Sequence, residues 1–89
     1  LPGLYIKVLS RDPETGAFAA LVKFEKGAHE DVHTHRSDHD VIVLEGYLID
    51  GEGRKLGKGT YLFAPAGVKH GPFDAPEGCI LFAYFNGPL

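Results

Sequence analysis

An all-β sandwich or barrel is the architecture this sequence predicts, and three observations carry the prediction. No stretch shows the helical periodicity of apolar residues. Turn-forming residues recur at short intervals, at Asp12-Pro13 and Gly16, Gly51 and Gly53, Pro65 and Gly67, and Pro76 and Gly78. Between them stand short runs rich in β-branched and aromatic residues, the composition that suits a pleated, half-buried surface.

Taken in order, Leu4-Tyr5-Ile6-Lys7-Val8-Leu9 is a short strand, reversed by Arg11 to Gly16. Ala17 to Phe24 follows with Phe18, Ala20, Val22 and Phe24 on one face, while Lys23 marks the other as wet near its end. Gly27 breaks this strand and opens the histidine-rich segment from Ala28 to His39. Val41-Ile42-Val43-Leu44 is apolar on both faces and is expected to be a fully buried strand ending at Glu45-Gly46. Tyr47-Leu48-Ile49 resumes and turns at Asp50 to Gly53. Arg54 to Gly59 is a short exposed strand and turn whose lysines suit a sheet edge. Thr60 to Ala64 is a strand stopped by Pro65-Ala66-Gly67, and residues from Val68 on lead through Phe73 into a loop in which Asp74 is expected to act as a cap. Cys79 to Phe85 closes the chain as its most apolar strand.

The 89 residues suffice for one domain, spanning 1–89, and not for two, and at this size a metal or a second copy would add needed stability. A hydrophobic fraction of 44% with 24% charged residues describes a globular chain. The net charge of −3 and the lack of basic clustering give no reason to expect nucleic acid as a partner. No apolar run approaches the ~18–20 residues that cross a membrane, and no signal segment opens the chain. Cys79 is the one cysteine, so no internal disulfide forms; a buried small hydrophobe is the expectation for it, and a cytoplasmic setting for the chain. There is no starting methionine, as in an excised module or a trimmed chain.

Four of the five histidines fall between Gly27 and His39. On an extended chain His33 and His35 project from one side with Cα atoms about 6.5–7 Å apart, twice the strand rise. Two imidazoles so placed can share an ion at metal–nitrogen distances of about 2.0–2.1 Å. His39 has the same parity, or returns through a turn at Ser37-Asp38, as a third donor. His29 shares the parity of His33 but sits beside Glu30-Asp31, and is expected at a solvated strand end rather than on the ion.

These residues fall in a recognisable register. Gly27, His33, His35, position 39 and Gly46 match the first motif of the cupin superfamily, and Gly59, Pro65, Gly67, His70 and position 74 match the second. The chain therefore resembles a small cupin, and the resemblance implies a double-stranded β-helix, or jelly-roll, barrel. Two positions depart from the pattern. His39 stands where a glutamate ligand is usual, and Asp74 stands for asparagine. Asp40 would require glycine at position 47, which is Tyr47. The site implied by the resemblance is thus a four-histidine one: His33, His35, His39 and His70. His35-Arg36, Val41 to Gly46 and Pro76 to Cys79 are similar to the cupin domains of ChrR-type anti-sigma factors and of acetylacetone-dioxygenase-like enzymes, whose members bind zinc and iron respectively.

Four neutral imidazoles leave an ion its full charge, which favours one divalent transition metal per chain (iron, manganese, nickel, copper or zinc) over magnesium or calcium. The leading functional expectation is non-haem oxygenase-type chemistry on a small carbonyl or diketone compound. The alternative is a zinc-binding sensor or regulatory module without catalytic activity. Val41, Val43, Tyr61, Phe63, Phe82 and Tyr84 have strand parities that could line the barrel interior, either against a ligand or as ordinary core, with Tyr61 and Tyr84 able to donate hydrogen bonds. Glu45 is expected to be a turn or surface residue. Small cupins usually pair, and a homodimer through the N- or C-terminal strands is expected, covering strand edges that a sandwich of this length leaves open.

Overall fold

The computed structural model describes residues 2–89, which form nine strands and, among the described residues, no helix. They are β1 (Leu4–Arg11), β2 (Phe18–Phe24), β3 (Ala28–Glu30), β4 (His39–Gly46), β5 (Leu48–Asp50), β6 (Lys55–Leu56), β7 (Tyr61–Ala64), β8 (Phe73–Ala75) and β9 (Cys79–Phe85). A five-stranded sheet runs in the order β1-β2-β9-β4-β7 and a four-stranded one in the order β3-β8-β5-β6, with antiparallel pairing throughout. The chain passes repeatedly from one sheet to the other, which is the jelly-roll arrangement.

The core lies between the two inner faces. The larger sheet supplies Phe18, Ala20, Val22 and Phe24 from β2, Val41 and Val43 from β4, and Leu81, Ala83 and Phe85 from β9. Leu48, Phe73 and Ala75 answer them from the smaller sheet. The pattern expected for β2 is therefore met residue by residue. The turn before it is held by Asp12, whose carboxylate accepts from the Glu14 amide at 2.9 Å while its carbonyl accepts from Gly16 at 2.9 Å.

Several expectations need correction. β4 is not buried on both faces: Ile42 and Leu44 are each 38% exposed, because the outer face of the larger sheet has no layer over it. Phe73 does not lead directly into a loop, and Asp74 is no loop cap; both lie on β8, which pairs with β3 and β5. Residues 31–38 form no regular strand, and only His33 makes a ladder contact there, an isolated antiparallel bridge to His70. β9 lies between β2 and β4, so the C-terminal strand has no free edge, whereas β1 is an outer strand with Ile6 and Val8 about half exposed.

Gly46 shows why glycine stands at that motif position. Its φ is +71°, and a Cβ there would run into the Gly78 carbonyl oxygen. The close approach lets β4 end and the chain cross to β5.

Candidate metal centre

Two backbone hydrogen bonds bring the distant histidine motifs together. The His33 amide donates to the His70 carbonyl at 2.9 Å, and the His70 amide donates to the His33 carbonyl at 2.8 Å. The turn at Pro65-Ala66-Gly67 is tied to the same segment, since the Gly67 amide donates to the His35 carbonyl at 2.9 Å and the Ala66 amide to an Asp38 carboxylate oxygen at 2.7 Å. The loop is also fastened to the chain's last residues: Arg36 Nε donates to the Leu89 carbonyl and Ser37 Oγ to the Pro88 carbonyl. An irregular segment thus holds its shape through partners outside it.

The side chains converge. Donor atoms of His33, His35 and His70 lie within 4.8 Å of one another. The His39 ring lies beside them at the first residue of β4, with ring centroids 4.2 Å from His35 and 5.2 Å from His70, but its nitrogens fall outside that three-histidine set. Phe85 stacks on His39 at 4.7 Å with an interplanar angle of 23°, fixing that ring from the core side. His33 Nδ1 lies 2.7 Å from the Asp31 carbonyl oxygen, which can only accept, so Nδ1 carries a proton and Nε2 is the nitrogen through which this ring would bind an ion.

Burial keeps the other rings neutral. The His39 and His70 pKa values are each lowered to about 4, first by burial and then by neighbouring imidazoles. His35 is lowered as well, by burial and then by His33. Neutral imidazole is the ligand form. The buried His39 Nδ1 has no hydrogen-bond partner among the described residues, which is costly unless something else engages it. Nitrogen donors, neutral rings and an unpartnered buried nitrogen fit a transition ion.

The histidines face a cavity of about 90 Å³ whose remaining wall is apolar apart from Glu30. A larger groove of about 540 Å³, lined by Lys23 to Lys26 and Glu77 to Ile80, holds no histidine. It lies at the Gly46–Cys79 end of the paired strands, opposite the His39–Phe85 end that carries the centre.

The family described as the ChrR Cupin-like domain matches residues 1–89. The chain belongs to this family. Among curated proteins, this cupin is 35% identical over 75 residues to the DNA damage-repair/toleration protein DRT102 of Arabidopsis thaliana, covering 79% of the chain but only 23% of that protein. The structure of Rhodobacter sphaeroides SigE in complex with the anti-sigma ChrR matches with a TM-score of 0.75 and 26% identity, over 93% of this chain and 45% of the other. An acetylacetone dioxygenase from Acinetobacter johnsonii matches with a TM-score of 0.79 over 96% of this cupin and 60% of that chain, and at 21% identity the likeness is one of fold.

Of the residues expected to line the cupin's interior, Val41 does so and Val43 is buried in the core. Tyr61, Phe63, Phe82 and Tyr84 do not. They point outward, Tyr61 and Phe63 being more than half exposed, while Leu62, Leu81 and Ala83 line the cavity in their place. The physical reason is space around His39, whose register partner on β7 is Ala64: the small side chain of β7 faces the ring, and parity sends Tyr61 and Phe63 to the other face.

His29 lies outside the cluster. Its Nδ1 is 2.6 Å from Asp74 Oδ1 and its Nε2 is 2.8 Å from Asp31 Oδ1, and these two carboxylates, Asp74 foremost, raise its pKa. Cys79 is buried, and burial pushes its thiol up to about 11, as suits an inert core residue. Sequence reasoning missed Glu30 as a cavity residue. Its signal is the two-residue parity with buried Ala28 on β3, visible once that strand is recognised.

A pH dependence follows for the metal-free cupin. His39 and His70 titrate near 4 when folded and near their ordinary 6.5 when unfolded, so between those values the unfolded chain binds more protons and stability falls as pH drops. The raised His29 works the other way: its contribution is complete below 6.5 and is lost as pH rises through its elevated value. The melting temperature in the presence of chelator should therefore peak above pH 6.5, where the contribution of the two buried rings is nearly complete and that of His29 is not yet lost. A melting temperature that climbs between about pH 6 and 4.5 would contradict this assignment of the buried rings.

Proposed function

We propose that His33, His35, His39 and His70 together hold one divalent transition ion, and that the domain carries out oxygenase-type chemistry on a small carbonyl compound such as a β-diketone. The observation that supports this reading is the convergence of imidazole donors on an otherwise almost wholly apolar cavity. Bound iron would supply Lewis acidity and dioxygen chemistry. The chain's own residues bind the ion, set the His33 tautomer through the Asp31 carbonyl, and exclude bulk water with Val41, Leu62 and Leu81.

The test is anaerobic reconstitution with Fe(II), followed by acetylacetone and oxygen. Catalytic oxygen uptake that exceeds the protein concentration is the expected result. No uptake with iron, manganese, nickel or copper, each shown to be bound, would remove the enzymatic reading.

A second reading is a zinc-binding sensor or regulatory module, which the family match over residues 1–89 favours. The chain spans under half of the ChrR chain it resembles. On this reading zinc binds stoichiometrically and no redox metal supports turnover. A homodimer belongs to either reading and would join through β1, the terminal strand that lies at a sheet edge. A cytoplasmic setting goes with both. Among the described residues no helix is long and apolar enough to cross a membrane.

A further inference from the structure

We infer that Glu30 is the charge-compensating carboxylate of the metal centre, supplying from β3 the negative charge that His39 no longer provides at the position where the cupin pattern has glutamate. The inference rests on the reading that the histidines hold a dication. Glu30 Oε2 lies 3.7 Å from His33 Nε2, the ring nitrogen not engaged by the Asp31 carbonyl. The Glu30 side chain is 19% exposed, and it is the one acidic side chain on the cavity wall among the described residues. β3 aims it there by alternation, since Ala28 and Glu30 face inward while His29 faces out to Asp74.

The neighbouring carboxylates are committed elsewhere. Asp31 and Asp74 hold His29, Asp38 accepts from the Ala66 amide, and Asp40 is exposed on the outer face. Glu30 has no hydrogen-bond donor among the described protein groups; the His33 ring lies at ion-pair range and His29 adds a weaker attraction from farther off. A largely buried carboxylate with so little to stabilise it is costly to a fold. Beside a dication ligated by neutral rings, the same group is strongly favourable.

Zinc affinity, measured by competition with a chromophoric chelator, and melting of the metal-free protein together test this. Glu30→Gln should bind zinc at least about tenfold more weakly than the native chain, the loss expected of a charged partner beside a metal. Its metal-free melting temperature should be unchanged or higher, because a poorly compensated buried charge has been removed. Adding His39→Glu to Glu30→Gln should restore affinity to within about threefold of native, because the charge returns to the ion from the other side. If position 39 does not tolerate glutamate, formate added to Glu30→Ala should restore binding in the same way.

Affinity of Glu30→Gln within about twofold of native would overturn the inference, as would tighter binding, which would mean that Glu30 merely pairs with protonated His33. Weaker binding matched by a fall in metal-free melting temperature would assign Glu30 a purely structural role, and loss without recovery in the charge-restored variants would equally refute it. A native chain that binds no zinc would instead overturn the histidine site itself.

Discussion

His70→Ala should lower zinc affinity by more than about 100-fold, since changes beside a metal's ligands already cost 10–100-fold. The loss is expected to be one of binding rather than of folding. Residue 70 holds the loop through its amide and carbonyl, both of which survive the substitution. The imidazole's other packing partner is Phe73, at 4.7 Å, which remains anchored in the core. Chelator competition at fixed pH measures the effect, and melting of the metal-free variant checks that the barrel persists. Affinity retained within about tenfold would show that the remaining rings suffice and that His70 is not a ligand.

Phe85→Ala should be the most damaging single truncation near the site, at about 3–5 kcal/mol. Phe85 is 4% exposed, stacks on Phe18 at 4.6 Å and on His39 at 4.7 Å, and lies in register with both on β2 and β4. One ring therefore ties three strands together at the end that carries the metal centre. Against a typical total stability of about 5–15 kcal/mol, the loss would leave a marginal fold. Phe82→Ala is the control on the same strand: its ring faces outward and is only partly covered, so its truncation should cost about 1 kcal/mol. Urea unfolding of the two variants decides the point. Equal losses would mean that the stacked cluster contributes nothing beyond ordinary burial.

Period-two alternation made β2 legible from Phe18, Ala20, Val22 and Phe24 alone, while the jelly roll and the histidine cluster were legible through the resemblance of the glycine, proline and histidine spacing to the cupin motifs. What alternation cannot supply is the choice between faces. On β7 and β9 the larger aromatic residues were expected inside, yet Ala64 and Ala83 occupy the inner face, where the rings of His39 and Phe85 need the room. The three-residue strand β8 escaped notice, and β3 was read only as a strand end at His29, because each is too short for a periodic signal and is defined by its partner rather than by its own composition. Glu30 stayed hidden with β3. The loop carrying His33 and His35 is held by contacts to residues near 67, 70 and 88, which no local pattern reveals.

The reciprocal amide bridge between His33 and His70 joins positions 37 apart in the chain. Closing a segment of that length costs entropy before any contact rewards it. In a short-looped metal finger the ion can gather its ligands while the chain is still open and so direct folding. Here His33, His35 and His39 lie within seven residues but His70 stands 31 residues beyond His39, so the full set of four rings exists only where the fold has joined the two motifs.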